Sequence, residues 1–186
     1  MGPTTFQLYL LSRMRAEHAV KDALTKLGLT REDLERAAEE AGRYGFEETI
    51  HDAALYEAAL GPPRLTKPVR DLDAASPFAG STALHFALPL WPGFDFVVRR
   101  HPTGYAWGMG FARGEHEVPP PNSAEDLKPW AFVEAEVTER FGKPTSADAW
   151  SGWEDLCYTI PDATGVRPYL LQFDLNLLQK ASPFDG

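Results

Sequence analysis

Bulky and tiny residues alternate strictly from Tyr105 to Arg113, in the order Tyr-Ala-Trp-Gly-Met-Gly-Phe-Ala-Arg. In a strand this order sends every large side chain to one face and only Ala or Gly to the other, which predicts the centre of a sheet. Two neighbouring runs, Ala83 to Leu90 and Phe94 to Arg100, complete a three-strand meander. Trp91-Pro92-Gly93 and His101-Pro102-Thr103-Gly104 supply the turns. Pro102 suits the first central position of a type I turn, and Gly104 suits the left-handed residue of a bulge closing a three-residue loop. That loop pairs Val98 with Gly108, Phe96 with Gly110 and Phe94 with Ala112 on one face. Asp95, Val97, Arg99, His101, Tyr105, Trp107, Met109 and Phe111 then gather on the other. A four-residue loop would shift the pairing by one and put the aromatics with Phe94, Phe96 and Val98; His101, which precedes a proline, disfavours it.

Upstream the period changes to helical. A first helix is expected from Thr4, with Gln7 completing a capping box, to Gly28; Phe6, Leu10, Val20 and Leu24 share a face, with Leu8 and Leu11 elsewhere. A second opens at Thr30, carries Leu34, Ala37, Ala38 and Ala41 inward, and stops at Gly42. A third runs from Phe46 through Ile50, Ala53 and Leu60 to Gly61-Pro62-Pro63. Residues 61–80, rich in proline and charge, read as a surface connection. Beyond Pro119-Pro120-Pro121, a helix with Pro129 in its first turn should bury Trp130, Val133, Val137 and Phe141 and end at Gly142. Two further strands follow, Trp150 to Ile160 and Pro168 to Leu175, joined by the loop 161–165. Helices, three strands, a helix and two strands make an α+β fold. Its N-terminal helices (4–60) precede an antiparallel β-sheet (81–178, with a helix near 129–141) covered by helices, in a single domain spanning 1–186.

Length and composition agree with that architecture, since 186 residues at 44% hydrophobic content support a packed core. One cysteine, Cys157, rules out an internal disulfide framework and favours a cytoplasmic protein. The run Phe6 to Leu11 falls short of the roughly 18 residues that a membrane span needs, so no membrane association is expected.

Charge narrows the function. The net charge is −9, with 7 basic and 11 acidic side chains in residues 1–63, 6 and 5 in 64–118, and 5 and 11 in 119–186. Nucleic-acid binding depends on Lys and Arg neutralising phosphates, and Arg99-Arg100 is the sole basic pair of note, so no nucleic-acid partner is expected. The second and third helices carry Glu39, Glu40, Glu47, Glu48 and Asp52, which argue against a helix-turn-helix. A basic protein partner fits this surface, although acidity also serves ordinary solubility.

Candidate chemistry is sparse. Cys157 lies between Leu156 and Tyr158 as a small hydrophobe would. Ser151-Gly152 forms no nucleophile elbow and reads as a strand start or bulge. His18, His51, His85, His101 and His116 lack metal-ligand spacing, and Glu115-His116-Glu117 reads as a solvated loop, so neither metal nor cofactor is expected. The most site-like surface is the aromatic and arginine face of the meander: Asp95, Arg99, His101, Tyr105, Trp107 and Phe111. It could hold a ligand or partner, or be covered by the third helix or the one after Pro129. Two functional classes stand open. One is a binding protein that sequesters a basic partner, in the manner of an immunity protein or secretion chaperone. The other is a small-molecule binder or enzyme with His101 or His85 as its acid or base.

Overall fold

The structure, a computed structural model, describes residues 1–46, 51–70, 73, 75–150 and 153–184. Helices come first: α1 (Pro3–Ser12), α2 (Glu17–Leu27) and α3 (Arg31–Arg43). Then follow β1 (His51–Asp52), α4 (Ala54–Leu60), β2 (Leu65–Pro68), β3 (Thr82–Ala87), β4 (Phe94–Arg100) and β5 (Tyr105–Arg113). A single 3-10 turn (Ala124–Asp126), α5 (Glu134–Phe141), β6 (Ser146–Trp150), β7 (Trp153–Asp162), β8 (Gly165–Asp174) and β9 (Leu177–Pro183) complete the chain. The fold is α+β. Its strands form two antiparallel sheets, ordered β1-β5-β4-β3-β2 and β6-β7-β8-β9, where the sequence had suggested one. The chain divides into two compact units, the first comprising Met1–Arg13 and Ala23–Gly110, the second Met14–Asp22 and Phe111–Gly186.

In the first unit, α1 is buried without interruption from Phe6 to Leu11, as a helix apolar on several sides must be. Gln7 tolerates this because its amide donates to the Pro3 carbonyl (3.2 Å) and accepts from the Leu90 N–H (3.0 Å). Pro3 and Gly2, rather than Thr4, begin the helix. The single helix expected to Gly28 is broken at Arg13–Ala16, and Gly28 does close α2 with φ +67°. The second helix is α3 as read: the Asp33 carboxylate accepts from both the Thr30 N–H and its hydroxyl, and Leu34, Ala37 and Ala41 are buried. The third survives only as α4; Glu47, Glu48 and Ile50 lie outside the described residues. Phe6 stands at the middle of an aromatic core, its ring 5.2–5.9 Å from those of Tyr9, Phe46, Tyr56 and Phe96.

The hairpin between β4 and β5 has the expected three-residue loop. The Gly104 N–H reaches the His101 carbonyl (2.9 Å), the His101 N–H reaches that of Tyr105 (2.8 Å), and Gly104 has φ +104°. Phe96 faces Phe86, and Val98 faces Leu84, across β3, all four buried. The two-sided alternation does not persist along β5, however. Met109 Sδ accepts from the Tyr56 hydroxyl (3.0 Å), and Tyr56 packs beside Phe96, so Met109 reaches the Phe96 side. A Cβ on Gly108 would lie 3.4 Å from Nη1 of Arg99, so Gly108 faces the Arg99 side. Two successive residues, Trp107 and Gly108, thus point the same way, as at a β-bulge. The connection expected over 61–80 contains β2, a strand paired with β3 through Leu65 and His85, with Pro68 tolerated because the strand is at the sheet edge.

In the second unit, α5 packs on the four-stranded sheet, burying Val137 among Leu156, Tyr158, Ile160, Leu171 and Phe173. The helix starts five residues later than Pro129. Trp130 has φ +60°, its N–H donates to the Leu178 carbonyl (2.8 Å), and the Leu178 N–H donates to that of Phe132 (3.0 Å). Residues 130–133 are therefore drawn alongside β9, which outweighs their helical spacing. Trp150 to Ile160 resolves into the end of β6 and β7, while Ser151-Gly152 lies outside the described residues. Residues 161–165 are mostly strand, turning at Ala163-Thr164. The opposite face of this sheet is gripped by Arg15, whose Nε donates to Asp174 Oδ1 (2.7 Å), Nη1 to Asp155 Oδ1 (2.8 Å) and Nη2 to the Phe173 carbonyl (2.9 Å). Asp174 is fully buried, and it also accepts the Arg15 backbone N–H (2.8 Å).

Candidate functional site

Four residues of the anticipated face come together in the first unit. The Arg99 guanidinium carbon sits 5.6 Å from the centre of the Trp107 ring, and His101 stacks on Tyr105 at 4.5 Å. Within the first unit the segment Pro77–Ser81 covers them. Phe78 stacks on Trp107 at 4.4 Å, the Trp107 indole N–H donates to Ser81 Oγ (3.0 Å), and His101 Nε2 donates to the Pro77 carbonyl (3.0 Å). His101 Nδ1 accepts from the Thr103 N–H (3.2 Å). Both ring nitrogens are thereby committed to the hairpin and to this strap.

The other two residues serve different structures. Asp95, 3% exposed, accepts two hydrogen bonds from Arg64 (both 2.7 Å) and faces His85 Nδ1 (3.1 Å). It is a paired buried charge that ties β4 to β3 and to the entry of β2. Phe111 is 2% exposed and belongs to the second unit, where its N–H donates to the Leu175 carbonyl (2.7 Å).

The second unit holds a surface that sequence reasoning passed over. Residues 115–120 are all exposed and follow no ladder, and between this run and α5 lies a groove of about 660 Å³. Glu117, Val118 and Pro120 form one wall, Glu136, Glu139 and Arg140 the other, with Phe132 between them. Arg113 holds both oxygens of Glu136 (2.7 and 2.8 Å), and Arg140 donates to the Pro121 carbonyl (2.9 Å) and to Asn122 Oδ1 (3.2 Å). These bonds brace the proline run against the helix. Glu115-His116-Glu117 was a solvated loop to the eye, and nothing in its local order disclosed that α5 would run beside it. Among the described residues, no group of three His, Cys, Asp or Glu could hold a metal ion.

A pair of carboxyls meets at the start of α5. Burial pushes Glu134 up to about 7, and the adjacent Glu154 on β7, hydrogen-bonded to it, pushes the same way. Tyr158, four residues further along the same face of β7, is pushed up by burial and shares a hydrogen bond with Thr138 (2.8 Å). Because the folded Glu134 keeps a proton that the unfolded chain releases near its ordinary value of 4.5, stability is expected to fall as pH rises from about 4.5 through about 7. Thermal melts across that window should show the loss in the wild type and a flatter profile in Glu134→Gln. Parallel curves would refute the shared proton.

No family model and no curated protein matches the chain. Among solved structures, the crystal structure of a putative beta-lactamase inhibitor protein from Streptococcus mutans aligns over 72% of this chain and 82% of that one, at 13% identity and a TM-score of 0.28. A likeness of that size carries no argument about function. Among the described residues, no helix is long and apolar enough to cross a membrane.

Proposed function

We propose that this protein acts by recognition, holding a basic protein partner through the carboxylate-lined surface of its second unit. The groove beside α5 carries the reading: it is open, lined in part by the apolar Val118, Pro120 and Phe132, and edged by the exposed carboxylates Glu117 and Glu139. A net charge of −9 would steer a cationic partner toward it and favour fast, salt-sensitive association. The buried Cys157 suits a reducing compartment, and we place the complex in the cytoplasm, where an immunity protein or a secretion chaperone would work.

The enzyme reading has lost its strongest wall. The Trp107 ring already stacks on Phe78, and His101 spends both nitrogens on the fold, leaving it poorly placed to exchange protons with a substrate. The test is capture on the immobilised protein from its native host at low ionic strength, with mass spectrometry of what is retained. A basic protein that elutes as salt is raised is the expected result. Recovery of no protein, together with a substrate turnover abolished by His101→Ala, would overturn the proposal.

A further inference from the structure

We infer that the groove between residues 115–120 and α5 receives an extended peptide segment in which lysine or arginine side chains alternate with bulky apolar ones. This deepens the functional reading above and rests on it. The walls dictate the mode of contact. Pro119, Pro120 and Pro121 have no N–H to offer, so a partner cannot pair along these three residues as an added strand and must be read there through its side chains. The wall formed by the run asks for apolar groups, since Val118 remains 44% exposed beside Pro120, with the buried Phe132 between the walls. A volume of about 660 Å³ is enough for several side chains.

Charge selects the remainder. Glu136 is occupied by Arg113, and the Arg140 guanidinium is turned to the Pro121 carbonyl and Asn122. Arg140 bonds only neutral oxygens and keeps its positive charge, while the carboxylates Glu117 from the run and Glu139 from the helix have no ion-pair or hydrogen-bond partner among the described residues, which leaves the lining negative on balance. The two carboxylates stand on opposite walls, so a cationic side chain is favoured on either side of an apolar one. A segment with acidic side chains would be repelled at both positions.

The probe is a fluorescein-labelled, end-blocked hexapeptide of alternating arginine and leucine, followed by fluorescence anisotropy. Two companions have serine in place of leucine and glutamate in place of arginine. Wild-type protein should bind the arginine–leucine peptide, bind the arginine–serine peptide several-fold more weakly, and ignore the glutamate–leucine peptide. Glu117→Lys with Glu139→Lys should weaken binding about tenfold or more. Glu32→Lys with Glu35→Lys, the same charge change on the exposed face of α3, should change it less than about twofold. All four positions are exposed, and unchanged melting curves confirm that each variant folds. Failure of the arginine–leucine peptide to bind overturns the inference. Equal losses in the two double variants do the same, because they would mean unspecific charge attraction. A cellular partner retained equally by wild type and the groove variant would also sink the groove while leaving the sequestering function intact. Peptide binding that needs Glu117 and Glu139, with no basic protein captured from the host, supports the groove and removes the sequestering function.

Discussion

Replacing Arg15 by methionine is expected to destabilise the second unit by about 3–5 kcal/mol, the loss that follows when one member of a buried ion pair is removed. Asp174 is 1% exposed at its side chain, and Arg15 supplies it with a charged partner and, through the backbone, a second donor. Burial already pushes the Asp174 carboxyl above its ordinary value even with Arg15 beside it. Without the guanidinium the carboxylate would face that burial alone. The deficit should be greatest at neutral pH and shrink as pH falls toward the ordinary value of 3.8, because burial lifts the folded carboxyl above that value, further still without Arg15, and the proton it takes up there removes the stranded charge. Urea unfolding at several pH values measures it. Asp174→Asn introduced beside Arg15→Met should recover much of the loss, because it removes the stranded charge. If the double variant is as weak as the single one, the cost lies in packing rather than in charge.

The second large effect is expected at Phe6. Its side chain is fully buried, and four aromatic rings surround it within 5.9 Å, so truncation leaves a void that neighbours this rigid cannot collapse. Phe6→Ala should cost about 3–5 kcal/mol, and Phe6→Leu less than half of that. Loss of near-ultraviolet dichroism alongside the shifted unfolding midpoint would report loosening of the surrounding rings. A shift below about 1 kcal/mol in Phe6→Ala would show that α1 is not what holds the aromatic core together.

How far the sequence disclosed this molecule depended on whether each structural cause was local. Thr30 announces the start of α3, and Pro102 with Gly104 announces the hairpin, because the hydrogen bonds concerned close within a few residues. The interruption at Arg13–Ala16 has no glycine or proline to mark it. There the backbone is committed to Asp174 and Gln179, partners 159 and 163 residues away, and helical spacing gives way. Residues 130–133 yield to β9 for the same reason. On the candidate face, His101 with Tyr105 and Arg99 with Trp107 were legible from the turn. The strap that occupies Trp107 was not, because Phe78 lies in a proline-rich stretch whose own pattern is featureless. The groove beside α5 was hidden in the same way: Glu117 and Glu139 are 22 positions apart and meet only through the tertiary fold.

The grip of Arg15 on β7 and β8 also sets an order of events on the ribosome. Its carboxylate partners emerge 140 and 159 residues after it, roughly 7 to 30 seconds of synthesis at about 5–20 residues per second. Throughout that interval the nascent chain carries an early segment whose docking surface has not yet been made, and by its later part the first unit, which ends at Gly110, has been synthesised. Translation that pauses before β8 would therefore leave the Met14–Asp22 stretch exposed to chaperones and proteases.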